Sequence, residues 1–120
     1  MKRPIVVTLC GSYRMIKEFR RVEDLLERAG FASFSMPEGN VSDDPKAKEN
    51  ADILHKRKIA MSDLVYVVDI SREHPDTYYG DSTKSEIDFA ETLGIPVVYH
   101  MHWIGENLAN LEAEFRGGTL

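Results

Sequence analysis

Two short stretches carry residue types that do chemistry. In STKSEIDFA (Ser82 to Ala90) a carboxylate stands where an apolar residue belongs. Helical residues advance by about 100° each. With Glu86 at zero, Ala90 falls at about 40°, Leu93 at about −20°, Phe89 at about −60° and Ile87 at about 100°. Glu86 therefore faces the apolar stripe, near the start of its helix, while Asp88 and Glu91 face water. A buried carboxylate costs several kcal/mol unless it is partnered or functional. TKSE also matches a capping box, with Thr83 as the cap and Glu86 reaching back to its amide. A capping role and a functional role are compatible.

The second stretch is CGSYR. Gly11 and Ser12 follow an apolar run and precede a helical pattern, and backbone N–H groups at a helix start favour an anion. Ser12 offers a hydroxyl, and Arg14 can hold a phosphate through two parallel bonds. The plainer reading is a tight turn with a serine cap. The dinucleotide fingerprint needs three spaced glycines, and this loop has one.

Further polar residues surround these two. Asp63 and Asp69 bracket an apolar run; Asp69 lies near its carboxyl end, where it can face the same crevice as Glu86, and Asp63 near the other. One carboxylate as nucleophile and another as proton donor is the division of labour at many glycosidic bonds. His55, four residues before Ile59, reads as a core-edge histidine bonded to backbone. His100 and His102 flank Met101 without a third ligand in view, so zinc is not expected. Tyr78 and Tyr79 sit in a loop and can stack on a base or simply lie at the surface, and Trp103 reads as packing.

The elements that position these residues alternate along the chain. PIVVTLC (Pro4 to Cys10) is a continuously apolar, β-branched run, the pattern of a strand buried on both faces. Met15, Phe19, Val22 and Leu26 recur at helical spacing, and Gly30 ends that helix. Phe31 to Met36 alternates as a second strand. PEGNVSDDPK reads as a polar loop, Ala47 to Met61 as a second helix and Asp63 to Ile70 as a buried strand. The loop Ser71 to Asp81 leads into the Glu86 helix, which ends near Gly94. Ile95 to Met101 reads as a fourth strand and ENLANLEAEF as a closing helix. Strands joined by helices imply a parallel sheet covered on both faces, with right-handed crossovers. The expected fold is a single-domain α/β doubly wound sheet spanning residues 1–120, flavodoxin-like, with strand order 2-1-3-4. Ligands of such sheets bind beyond the carboxyl ends of the strands, near the switch point between the first and third.

The bulk properties exclude several classes. A net charge of −5 argues against a nucleic-acid surface, which needs clustered cations. The apolar run near the amino end is too short for a signal-peptide core, and nothing approaches a membrane span. The lone Cys10 forms no internal disulfide, which suits a reducing compartment. A cytoplasmic protein is expected.

Together, CGSYR, HKRKIAMSDLVYVVDI and GDSTKSEIDFA followed by GIPVVY resemble the nucleoside 2-deoxyribosyltransferase family. The closer likeness is to its branch of 2'-deoxynucleoside 5'-monophosphate N-hydrolases. The resemblance runs from Ile5 to about Tyr99. It implies that Glu86 is a nucleophile attacking the anomeric carbon, that Asp63 is an active-site residue, and that Ser12 and Arg14 take the 5'-phosphate next to Gly11. The loop of Gly80 and Ser82 would close around phosphate and sugar. It further implies a small nucleotide or nucleoside substrate, no cofactor or metal, and a homodimer or larger assembly. A neighbouring subunit would complete the site, here through Asn107 or Asn110. The chain departs from the branch at Thr8, where an aromatic is frequent, and at Ser82, where a glycine is common. A nucleophile must be ionised, so the helix start and local hydrogen bonds are expected to hold the Glu86 pKa down against its apolar walls.

Overall fold

The structure is a computed structural model that describes residues 3–37, 43–68, 80–100 and 108–118. Strand β1 (Val6–Cys10) leads through a 3-10 turn (Tyr13–Met15) into α1 (Ile16–Arg28). Then follow β2 (Ala32–Phe34), α2 (Pro45–Ala60), β3 (Leu64–Val67), α3 (Asp81–Thr92), β4 (Val97–Tyr99) and α4 (Leu108–Arg116). All neighbouring strands pair in parallel, in the order β2-β1-β3-β4. This is the expected flavodoxin-like order.

Alternation along the central strands divides the core in two. Val7 and Leu9 of β1, with Leu64 and Tyr66 of β3, pack against Phe19, Val22 and Leu26 of α1 and Leu111 of α4. Cys10, Val65 and Val67 face the other way, against Ile59 of α2 and Ile87 and Ala90 of α3. Successive side chains of a strand point to opposite faces, so a continuous apolar run supplies both cores. The connection through α1 returns on one face and that through α2 on the other. Between them, at the carboxyl ends of β1 and β3, lies the switch point.

Three local features differ from the sequence-based expectation. Helix α2 begins at Pro45 rather than Ala47: the Asp44 carboxylate accepts the Lys46 and Ala47 amides, each at 3.1 Å, and proline occupies the first helical position. The turn-like DDPK is thus also a helix start. Helix α3 begins at Asp81 with Gly80 as its cap. Thr83 therefore lies inside the helix, and the capping box is not formed. Leu93, placed by its angle in the buried stripe, is 48% exposed because it stands at the helix end, past the turn that meets the sheet. No helix among the described residues is long and apolar enough to cross a membrane.

Candidate active site

Glu86 is where its helical angle puts it. Thr83, Glu86, Ile87 and Ala90 form the buried face of α3. Ile87 and Ala90 reach the sheet, while Glu86, one turn nearer the amino end, arrives at the end of β1. There its Oε2 lies 3.5 Å from His55 Nε2, and the Cys10 thiol donates a hydrogen bond to the carboxylate. Cys10 Sγ is 3.5 Å from the same histidine nitrogen. The ring also donates to the Leu9 carbonyl. All three residues are buried.

The electrostatics follow from this burial. Desolvation pushes the Glu86 carboxyl up to about 7, against the smaller lowering effects of the Cys10 hydrogen bond, Lys48 and Lys56. The expectation of a depressed value is therefore overturned. Glu86 sits six residues into α3, beyond the first turn where the helix dipole acts, so burial prevails. Desolvation, with Lys58 nearby, lowers His55 to about 4. Burial and the adjacent Glu86 carboxylate raise the Cys10 thiol well above its ordinary value. Near neutral pH the histidine is uncharged and the thiol protonated. The short His55–Glu86 contact is then a polar contact within a cluster rather than an ion pair.

His55 and Glu86 form part of the wall of a cavity of about 440 Å³. Gly11, Ser12 and Tyr13 wall its β1 side, and Lys48, Asp52 and Lys58 its α2 side. Gly80 and Ser82 stand at the mouth of α3. Gly11 is required here: at φ +155°, a Cβ would lie 2.8 Å from the Val68 carbonyl and 3.1 Å from the Phe19 ring. Its absence lets β1 and β3 end side by side. Ser12 caps the 3-10 turn, its hydroxyl accepting the Arg14 amide at 3.4 Å, and also lines the cavity. Lys48 bonds both oxygens of Asp52 at 2.9 Å and the Ser82 hydroxyl at 3.2 Å, which ties α2 to the start of α3. A larger, more open depression of about 850 Å³ runs along β2 between α1 and α2. Its acidic residues are surface groups such as Glu23, already paired with Arg20, so the smaller cavity is the better candidate.

Not every residue read from the sequence converges on this cavity. Arg14 is exposed and is not part of the wall; the cations there are Lys48 and Lys58. Asp63 lies at the opposite, amino end of the sheet. Its carboxylate accepts the Val6 amide at 2.8 Å and the Arg3 guanidinium at 2.5 and 2.7 Å, and Arg3 holds it below the usual carboxylate range. Among the described residues it is a strand-end anchor, remote from Glu86 because a parallel sheet separates its two ends. Asn110 is exposed in α4. Asp69, Asn107, Tyr78, Tyr79, His102 and Trp103 lie outside the described residues.

Cys10, Tyr13, Lys48 and Asp52 were missed; His55 is the core-edge histidine bonded to backbone that was expected, but its approach to Glu86 and the cavity was not. For Cys10 and His55 a signal existed. Cys10 is the last residue of a buried strand, directly before the switch-point loop. His55 is one helical turn from the fully buried Ile59. What the sequence did not reveal is that α2 and α3 pack side by side on one face, bringing His55 to Glu86.

A parallel sheet of this order with a cavity at its switch point defines a doubly wound α/β protein. Among solved structures, a 2-deoxyribosyltransferase from the psychrotolerant bacterium Bacillus psychrosaccharolyticus shares the fold. The TM-score is 0.59 over 88% of this chain and 80% of that one, at 18% identity. No protein-family model and no curated protein matches the chain.

Proposed function

We propose that the protein is an N-glycosidic-bond hydrolase acting on (2'-deoxy)nucleoside 5'-monophosphates, with Glu86 as the nucleophile and water as the acceptor. One observation carries this reading: a buried glutamate, with no lysine or arginine bonded to it among the described contacts, forms part of the wall of a switch-point cavity of about 440 Å³, within the usual range for a small-molecule site. The order of the sequence motifs supports it, as does the fold shared with a deoxyribosyltransferase.

The chemistry follows a double displacement. Ionised Glu86 attacks the anomeric carbon as the bond to the base breaks, and the base leaves with a proton taken up on its nitrogen. Carboxylate oxygen close to the sugar stabilises the oxocarbenium character of this step. Water then attacks the same carbon, the ester bond breaks and Glu86 is released as carboxylate, while the water's second proton passes to solvent, replacing the one the base took from it. The Cys10 thiol orients the carboxylate by donating to it. For the phosphate, Ser12 and the uncapped start of α3 at Gly80 and Ser82 offer hydrogen-bond donors, with Lys48 as the nearest cation on the wall. A second copy of the chain would complete the site.

Base exchange between deoxyribonucleosides is the second reading, favoured by the activity named for the structural neighbour. Incubation with a panel of nucleosides and their 5'-monophosphates, with and without an acceptor base, followed by chromatography, tests both. Free base from monophosphates alone supports hydrolysis. Product that requires an acceptor supports exchange. Ligand-induced stabilisation without release of base from any substrate would show a nucleotide-binding module instead.

A further inference from the structure

We propose that Cys10, His55 and Glu86 form a three-ligand site for a Zn²⁺ ion, placed so that the fourth position faces the cavity. The assignment does not rest on the proposed reaction. A thiol, an imidazole and a carboxylate are brought together from three separate elements, β1, α2 and α3, and their ligand atoms all lie within 4.8 Å of one another. The two separations that involve His55 match a tetrahedron's edges. Ligands at about 2.3 Å for sulfur and about 2.0 Å for nitrogen or oxygen stand about 3.3 to 3.6 Å apart at tetrahedral angles. The Cys10–His55 and His55–Glu86 separations are both 3.5 Å.

The surroundings fit as well. A metal-bound histidine nearly always commits its other N–H to an outer partner, which fixes ring and tautomer; the His55 ring donates to the Leu9 carbonyl. Cys10 is fully buried and closes the back of the cluster, while His55 and Glu86 line the cavity. Three protein ligands with one open position is the arrangement of catalytic rather than structural zinc. Thiolate and imidazole together favour zinc over magnesium or calcium, which take oxygen ligands. On binding, the sulfur enters as thiolate and its proton leaves to solvent. Where the proposed reaction also holds, metal and sugar compete for Glu86, and Zn²⁺ acts as an inhibitor of base release.

The test is direct metal binding by the whole chain, freed of metal by chelation. Titration calorimetry with Zn²⁺ is expected to give one ion per chain. Co²⁺ is expected to give the near-ultraviolet thiolate-to-cobalt band and the visible bands of a tetrahedral site. Cys10→Ala, His55→Gln and Glu86→Gln, each checked for folding by circular dichroism, should weaken Zn²⁺ binding by more than roughly tenfold, the lower end of what loss of even an outer partner costs. His100→Gln should leave it unchanged. Absence of stoichiometric binding, or binding that survives all three substitutions, overturns the site. Should no nucleotide release base while Zn²⁺ binds with these dependences, the proposed reaction fails and the metal site stands.

Discussion

Two buried histidines stand on opposite faces of the same sheet, and their surroundings differ in kind. On the α1 face His100, 2% exposed, donates from Nε2 to Glu18 at 2.8 Å, and its Nδ1 pairs with the Tyr66 hydroxyl at 2.6 Å. Arg21 bonds the same glutamate at 2.5 and 2.9 Å. The acidic partner is compensated by a cation, which with His100 lowers the Glu18 pKa, while burial raises the Tyr66 hydroxyl. On the α2–α3 face His55 meets a thiol and a carboxylate whose pKa is raised rather than lowered, and the group adjoins a cavity. A buried polar network complete in itself rigidifies a core. One that holds a carboxyl away from its preferred state beside an opening stores reactivity instead.

The comparison breaks most sharply at Glu86. Glu86→Gln keeps the shape and removes the nucleophile, so base release should fall by roughly 10³-fold or more, read by steady-state chromatographic assay. Its stability effect has the opposite sign. A carboxyl raised from 4.5 to about 7 favours folding below about pH 4.5, and that contribution is lost as pH rises through about 7, at a cost of about 3 kcal/mol. Glu86→Gln should therefore be progressively more stable than the parent between pH 5 and pH 8, measured by urea denaturation. A difference that does not grow with pH would show that the carboxyl is not held protonated. His55 contributes the reverse slope: lowered to about 4, it supports folding above about pH 6.5 and loses that support as pH falls through about 4. In turnover, kcat/KM should rise through about pH 7 as Glu86 ionises, and that limb should be absent from the residual activity of Glu86→Gln.

Smaller effects sharpen the contrast. Gly11→Ala places a methyl against the Val68 carbonyl and should cost about 2 kcal/mol, with loss of ligand binding because the ends of β1 and β3 must separate. Tyr66→Phe removes the hydroxyl that pairs with His100 Nδ1 and should cost about 1–2 kcal/mol, with base release per folded molecule unchanged. Asp63→Asn, at the far end of the sheet, should leave base release unchanged as well; a large loss would mean that the site reaches that end through another copy of the chain.

Much of the frame was legible in advance because apolar runs and helical spacing are local properties. The parallel order 2-1-3-4 followed from their alternation, and the inward direction of Glu86 followed from its angle alone. The pKa of Glu86 was not legible, because it depends on how completely α2 covers α3, a long-range fact. Asp63 lies at the amino end of its strand, as its place before the apolar run suggested, and only the resemblance drew it to the site; Arg14 follows the wall residues Ser12 and Tyr13 but is not itself on the wall. Proximity in sequence to a motif does not say which side of a turn a side chain occupies. Asp44 and Pro45 were read as a turn because the same residues begin helices. The cluster of Cys10 and His55 with Glu86 escaped because each alone is an ordinary buried residue; only the packing of α2 and α3 over the end of β1 joins them.

The most direct test of Glu86 as the nucleophile is to trap its covalent intermediate. A 2'-fluorinated nucleoside 5'-monophosphate slows the second displacement, so the glycosyl-enzyme should accumulate. Intact-mass measurement should show one added fluorosugar phosphate per chain, and peptide mapping should place it on Glu86, with none on Glu86→Gln. Release of base without any adduct, or an adduct on another residue, would contradict the account.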